Sequence, residues 1–175
     1  MAANNAREIH KALFEFDVEY GEFPSASTIP KVQSETSTTM PLGTASSNDY
    51  FRQLLAKGLG NEGTFYSGSR NFKNPDNNVD GLKALQKGEG GFAYVVGLST
   101  SENSSTPLLI APVIPGTKQF DPEVFNGKAV VLRIDGSAVS YPIRKDSKID
   151  LGNGDLLDPA KPEWNGKPLT IAWPE

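Results

Sequence analysis

An apolar stripe near the start of the chain constrains its fold more than any other feature. Large apolar side chains recur at spacings of four, three and four residues, at Ile9, Leu13, Phe16 and Tyr20. Because an α-helix turns once every 3.6 residues, this spacing places them on one face and predicts a helix over residues 1–21. Gly21 and Pro24 mark its end. The residues before Asn4 offer no strong N-cap, so we expect the natural helix to begin further upstream.

The size and composition of the chain favour a single globular domain over residues 1–175. Hydrophobic residues make up 37% of the 175 positions and charged residues 22%, a balance typical of chains that bury a core. The 17 glycines and 13 prolines predict many turns and short regular elements. No apolar run approaches the roughly 18 residues that a membrane-spanning helix needs.

Charge and cysteine content exclude several classes of function. The net charge is −4, and the 17 Lys and Arg residues are scattered rather than clustered, which disfavours binding to nucleic acid. The chain has no cysteine, which rules out disulfides, thiol catalysis and thiolate metal sites. The compartment stays open, because a cysteine-free chain suits both cytosol and periplasm.

The region over residues 22–90 is predicted to be rich in loops, with a few short helices. Ser, Thr and Pro dominate residues 25–47, which predicts a long surface loop with at most one short extended piece. A mobile connector is favoured there over a binding loop. Asn48 and Asp49 are the predicted cap of the next helix. Two short helices are predicted, over residues 50–57 and 80–87.

The pattern changes to short strands over residues 91–175. Apolar or alternating runs predict strands at residues 92–96, 108–111, 128–143 and 169–173. The third run is a hairpin whose halves are joined by Asp135-Gly136, a turn in which both residues adopt positive φ. Pro107 and Pro112 bound the second run, which places it near a sheet edge or makes it short. The fold class is therefore α+β: an N-terminal helix packed on a C-terminal antiparallel sheet of about four or five strands.

The order of residues at the start of the chain adds a family resemblance. Residues 4–9 (NNAREI), Ala12-Leu13 and residues 20–24 (YGEFP) resemble the close of the N-terminal helix of type IV pilins and type II secretion pseudopilins. In that family, a hydrophobic half-helix precedes this point, anchors the subunit in the inner membrane and joins the subunits into a filament. The resemblance implies a pilin-like fold, other pilin or pseudopilin subunits as partners, and an extracytoplasmic filament.

Two further segments resemble pilin-like proteins that are common in planctomycetes and verrucomicrobia. Residues 127–139 resemble their C-terminal Asp-Gly-x-Val hairpin, with Ser137 where those proteins often have His. Residues 48–66 resemble their middle segment. We therefore expect a structural, non-enzymatic subunit of a type IV pilus-like or type II secretion pseudopilus filament. The alternative is a surface-exposed module on this fold that binds a host surface, mucus or carbohydrate.

No residue pattern predicts a catalytic or cofactor-binding site. His10 is the only histidine and neighbours the apolar stripe, so we interpret it as a helix surface residue rather than a catalytic base. Gly68-Ser69 lacks the strand–turn–helix setting of a nucleophile elbow. Residues 88–91 (GEGG) precede a strand rather than a helix, the wrong order for a phosphate cradle. Trp164 and Trp173 could stack on a sugar, although core packing is the commoner role of tryptophan.

Two carboxylate-rich loops are candidates for calcium. Residues 76–81 match the first half of an EF-hand loop, but the twelfth position, where a bidentate Glu belongs, is Lys87. The second loop carries oxygen ligands at Asp150, Asn153, Asp155 and Asp158. The resemblance adds that some pseudopilins bind calcium in a C-terminal loop. Asx residues also favour plain turns, and we favour solvated turns over a metal site at both loops.

Overall fold

The computed structural model describes residues 1–175 and shows an α+β fold with helices first and strands after them. The helices are α1 Ala2–Tyr20, α2 Ile29–Thr36, α3 Ser47–Ala56 and α4 Glu62–Phe65. The strands are β1 Ala93–Val95, β2 Pro107–Ala111, β3 Lys128–Arg133, β4 Ala138–Pro142 and β5 Ile171–Ala172. Short 3₁₀ turns lie at Gly81–Lys83 and Pro162–Trp164. The predicted fold class and the number of strands are confirmed.

The five strands form one antiparallel sheet in the order β4-β3-β2-β1-β5. β2 lies in the middle of this order, so its prediction as an edge strand was wrong, whereas its shortness is confirmed. Pro107 is tolerated there because it is the first residue of the strand, where the register shifts between Pro107 and Leu109. The predicted strand over residues 169–173 narrows to Ile171–Ala172, paired with β1.

Helix α1 packs its apolar stripe against the β3–β4 hairpin, as predicted. Ile9, Leu13 and Phe16 are fully buried, and Tyr20 is half-buried. Gly21 ends the helix in the left-handed conformation, with φ of 79°, and its N–H donates to the Asp17 carbonyl at 2.7 Å. The helix therefore rests on the sheet through one continuous apolar face.

The region before β1 differs from the prediction in three places. Residues 25–47 contain helix α2, where a loop was predicted, because Pro30 occupies the first turn of a helix that buries only Val32. Helix α3 begins two residues earlier than its predicted Asn48-Asp49 cap would place it. The Ser46 hydroxyl accepts the Asp49 N–H, and the Asp49 carboxylate accepts the Ser46 N–H in return.

The helix predicted over residues 80–87 is only a 3₁₀ turn at Gly81–Lys83, so that prediction was wrong. Leu85 adopts a left-handed φ of 47°, which ends any regular helix at that point. Its N–H donates to the Glu62 carboxylate and its carbonyl accepts the Asn48 amide, so side chains satisfy the backbone groups that a helix would have paired.

The β3–β4 turn has three residues rather than the predicted two. Gly136 has a left-handed φ of 80°, whereas Asp135 is not among the residues with positive φ. The Gly136 N–H donates to the Arg133 carbonyl, and the Arg133 N–H donates to the Ser137 carbonyl, each at 3.0 Å. This is a type I turn followed by a left-handed glycine, so the predicted turn with two positive φ angles was wrong.

The core is one cluster of 36 buried residues that draws on α1, α3, every strand and the C-terminal region. Phe51 and Phe65 stack within it at 4.9 Å between ring centroids, and the Tyr94 ring lies 5.7 Å from Phe51. The Tyr94 hydroxyl donates to the Pro24 carbonyl at 2.9 Å. The chain segments on both sides of residue 90 therefore share a single apolar interior.

Candidate functional site

Helix α1 carries an exposed apolar surface opposite its buried stripe. Phe14 and Val18 lie one helical turn apart, and 51% and 74% of their surfaces are exposed. We call this pair the α1 ridge. Lys11 precedes Phe14 by one turn and Arg7 lies one turn further back, both on the exposed side. The ridge is therefore an apolar contact surface with basic residues at its N-terminal end.

Polar contacts fix α1 on both sides of the ridge. The Nε2 atom of His10 lies 2.7 Å from the Ile134 carbonyl oxygen in the β3–β4 turn. The Thr100 hydroxyl donates to the buried Asp17 carboxylate at 2.5 Å. These contacts set the rotation of the helix about its axis, which determines that Phe14 and Val18 face outward.

The C-terminal end of α1 is joined to α2 and α3 through Tyr20. Its hydroxyl donates to Glu35 at 2.5 Å, and Lys57 bridges Glu19 at 2.8 Å while its ammonium lies 5.5 Å from the Tyr20 ring centre. Burial and the Glu35 hydrogen bond raise the pKa of Tyr20 to about 12. The phenol is therefore a hydrogen-bond donor at neutral pH.

The candidate catalytic side chains are not brought together. His10 is held against the β3–β4 turn, where an added Cβ on Gly136 would lie 3.0 Å from its ring. Ser69 is fully buried elsewhere, and its hydroxyl accepts the Asn71 N–H at 3.2 Å. His10 thus has a packing role, consistent with its interpretation from the sequence.

At the first calcium candidate, the structure assembles carboxylates that the sequence pattern did not connect. Oxygens of Glu62, Asp76 and Glu89 lie within 4.8 Å of one another, and we call these residues the acidic cluster. Glu62 and Glu89 are buried, whereas Asp76 is exposed. Sequence reasoning missed Glu62 and Glu89 because each lies more than a dozen residues from Asp76 and fits no ligand spacing.

The acidic cluster ties the segment before β1 to helix α4. The two oxygens of Glu62 accept the N–H groups of Leu85 and Asn78, the latter at 3.0 Å. Glu89 accepts the Gln86 N–H at 2.6 Å and lies 3.5 Å from the Lys73 ammonium. Burial raises the pKa of Glu62, the Leu85 N–H opposes that shift, and the charges of Glu89 and Asp76 add to it.

The acidic cluster has the donor chemistry of a divalent-cation site, since carboxylate oxygens are the preferred ligands of calcium and magnesium. Its oxygens already accept backbone N–H groups, so the geometry is fully explained by loop anchoring. Asp80, also part of the predicted half-motif, is not a member of the cluster. The structure therefore assigns the acidic cluster a structural role.

At the second calcium candidate, basic side chains of the chain itself engage the loop oxygens. The buried Lys161 ammonium donates to Asn153 Oδ1 at 2.5 Å and to the Gly154 carbonyl at 3.1 Å. Elsewhere in the loop, Lys148 pairs with Asp155 at 3.2 Å and Arg144 with Asp150 at 2.8 Å.

Two aspartates of this loop also accept backbone N–H groups. The N–H groups of Gly152 and Gly154 lower the pKa of Asp150, with Arg144 contributing. Asp158 accepts the Ala160 N–H at 2.9 Å. The loop thus combines internal cations with Asx turns, which agrees with the preference for turns over a metal site.

The glycine run before β1 allows close packing rather than phosphate binding. A Cβ on Gly91 would lie 2.2 Å from the Ser67 hydroxyl, and one on Gly90 would lie 2.4 Å from Asn48 Oδ1. The two tryptophans are also engaged in packing. The buried Trp164 donates its ring N–H to the Leu156 carbonyl, and the half-buried Trp173 donates to Thr117.

Comparison with known proteins found no matching family model, no matching curated protein and no matching solved structure. None of the helices combines the length and the apolar character needed to cross a membrane.

Proposed function

We propose that this chain is the globular domain of a structural subunit in a type IV pilus-like or type II secretion pseudopilus filament. Two features support the proposal: the residue order over positions 4–24 and the placement of that helix across an antiparallel sheet. The observation that carries it is the α1 ridge. In this proposal the full-length subunit has an apolar half-helix before Asn4, which anchors it in the inner membrane and builds an extracytoplasmic filament with other subunits.

The exposed ridge has a physical cost that a neighbouring subunit would remove. Burying a side chain the size of Val or Phe contributes about 1.5–3 kcal/mol relative to leaving it exposed. Isolated apolar residues on a surface are ordinary, but Phe14 and Val18 are adjacent on one helix whose position is fixed by His10 and Asp17. A rigid apolar pair of this kind suits a repeated protein–protein contact.

Filament assembly by the full-length chain, with its natural upstream segment, tests the proposal. Phe14→Glu or Val18→Glu should lower the yield of filaments at least tenfold, because each places a charge in an apolar contact. Leu82→Glu is the matched control, since Leu82 is 80% exposed on the Gly81–Lys83 turn, and it should assemble normally. Normal assembly of both ridge variants would contradict the role of the ridge.

The chain of residues 1–175 alone should remain a monomer or weak dimer. It has no long apolar segment with which to rebuild a filament core, and it carries a net charge of −4. Light scattering should show no filaments from this chain. Filaments formed by residues 1–175 alone, or the absence of any apolar segment upstream in the natural chain, would remove the basis of the proposal.

The proposed role is structural, so we expect no hydrolase activity. The only histidine is held against the β3–β4 turn, and the candidate serine is buried in a separate contact. A panel of ester, glycoside, peptide and phosphate substrates should give the same rates as buffer. Turnover that a single Ser or Asp substitution abolishes would show that the protein is an enzyme.

A further inference from the structure

An apolar groove lies between the end of β2 and the C-terminal segment. Its apolar lining consists mainly of Phe72, Pro112, Ile114, Pro115 and Pro174, and we call it the proline groove. Its volume is about 260 Å³. A cavity of about 150 Å³ is enough to hold a benzene molecule, so the proline groove has room for one aromatic ring.

The α1 ridge and the proline groove lie at opposite ends of the sheet. Pro107 pairs with Arg133 beside the β3–β4 turn, whereas Ala111, just before the groove, pairs with Val130 near the start of β3. The ridge is beside the turn, because His10 contacts Ile134 there. At roughly 3.3 Å per residue, the strands separate the two ends by about 15–20 Å.

Asp17 places the other end of the ridge in the same region. It binds Thr100, in the segment that leads to the start of β2, and Ser104 in that segment accepts the Asp135 N–H at 3.0 Å. Both contacts that hold the ridge are therefore at the turn end of the sheet.

The charges beside the two surfaces are complementary. The charged residues that line the groove, Asp121 and Glu175, are both acidic. Asp121 accepts a hydrogen bond from the neutral Asn71 amide, which leaves its charge uncompensated by that contact. Lys11 lies beside Phe14 on the ridge, with 70% of its side chain exposed. An acidic groove margin and a basic ridge margin favour each other over contacts between identical surfaces.

We propose that Phe14 and Val18 of one copy of this chain seat in the proline groove of the next copy. This inference rests on the proposed filament function and identifies the pair of surfaces through which neighbouring globular domains meet. Two different surfaces at opposite ends of a molecule form a head-to-tail contact, which repeats without closing when the rotation between copies does not complete a ring. The contact therefore extends a filament instead of forming a two-fold dimer.

The absence of native cysteine makes the contact testable by disulfide trapping in full-length filaments. The double variant Val18→Cys, Ile114→Cys should give a ladder of covalent multimers after mild oxidation, because a disulfide forms only when the Cβ atoms approach within about 3.5–4.5 Å. Both positions are exposed, so the fold should be unchanged by circular dichroism. The double variant Val18→Cys, Leu82→Cys is the control and should give no ladder.

Each outcome of this experiment has one meaning. A ladder only from the 18–114 pair supports the inference. Filaments that give no 18–114 ladder, or a covalent dimer from Val18→Cys alone, overturn the inference and leave the filament function standing. A full-length parental chain that forms no filaments overturns the proposed function and the inference together.

A charge reversal provides an independent measurement on the same surfaces. Lys11→Asp should lower filament yield several-fold, and adding Asp121→Lys in the same chain should restore it. Restoration by Asp121→Lys but not by Lys128→Asp, a change outside the groove, supports the pairing of the two margins. An unchanged yield in Lys11→Asp, or no restoration by the second change, overturns it.

Discussion

At the scale of single residues, buried charge is the feature that sequence patterns conceal best. Glu62 and Glu89 carry ionisable groups into the interior, where backbone N–H groups and one lysine compensate them incompletely. The structural benefit is the anchoring of a long irregular segment to α4. The cost is repulsion between neighbouring carboxylates, which makes this contact depend on pH.

Glu62→Gln should reduce the pH dependence of stability on the acidic side of neutrality. The pKa of Glu62 is raised above its ordinary value of 4.5 in the folded state, so its favourable contribution is complete below pH 4.5 and is lost as pH rises through the raised value. The melting temperature of the parental chain, relative to Glu62→Gln, should therefore fall between pH 4.5 and 7. Glu8→Gln, at an exposed position, is the control. Parallel pH profiles for the parental chain and Glu62→Gln would contradict this prediction.

Lys161→Met should destabilise the C-terminal loop by about 1–3 kcal/mol, because it leaves Asn153 Oδ1 and the Gly154 carbonyl without their donor. Chemical denaturation measures the loss. Lys148→Met, which removes an exposed ion pair, should cost less than about 1 kcal/mol. Calcium or a chelator should leave the melting temperature of the parental chain unchanged. A rise in melting temperature with calcium would show that the loop binds the metal after all.

At the scale of elements, α1 is the largest packing unit, and its apolar face is its main attachment. Leu13→Ala should lower the free energy of unfolding by roughly 2–5 kcal/mol, as truncation of a fully buried leucine does. Val18→Ala on the exposed face of the same helix should change it by less than about 0.5 kcal/mol. Equal effects of the two substitutions would mean that α1 is not held through its stripe.

The β3–β4 turn receives α1 through a glycine that has two requirements. Gly136 has a φ of 80°, and a Cβ there would lie 3.0 Å from the His10 ring. Gly152 has a similar φ of 89° with no atom within 4 Å of the same position. Both Gly→Ala changes carry the cost of a left-handed alanine, about 1 kcal/mol or more. Gly136→Ala should cost measurably more in chemical denaturation, and equal losses would contradict the contact with His10.

Sequence reasoning succeeded where one residue period dominated and failed where long-range contacts decided the structure. The helix stripe and the alternating hairpin were readable because their periods differ. Helix α2 was missed because Val32 is its only buried residue. The acidic cluster was unreadable because Glu62, Asp76 and Glu89 meet only after the chain folds. The proline groove has no sequence signature for the same reason: its walls come from three separate segments.

At the scale of the whole molecule, the shared core predicts that residues 1–175 unfold as one domain. The positions of the spectroscopic probes allow a direct test. All α-helices end by residue 65, whereas both tryptophans lie after residue 160. Far-ultraviolet circular dichroism at the helix band therefore reports mainly on the N-terminal part, and tryptophan fluorescence reports on the C-terminal part.

Because Phe16, Phe51, Tyr94 and Trp164 belong to one buried cluster, losing either part exposes the apolar surface of the other. The two signals should then change with a single midpoint in urea, as expected for cooperative two-state unfolding. Leu13→Ala should shift both midpoints equally, although it lies more than 140 residues from either tryptophan in sequence. Separate midpoints, or a shift confined to the circular dichroism signal, would show that the helices and the C-terminal part form independent units. Such a result would also weaken the proposed head-to-tail contact, since its two surfaces must be held rigidly at opposite ends of one body.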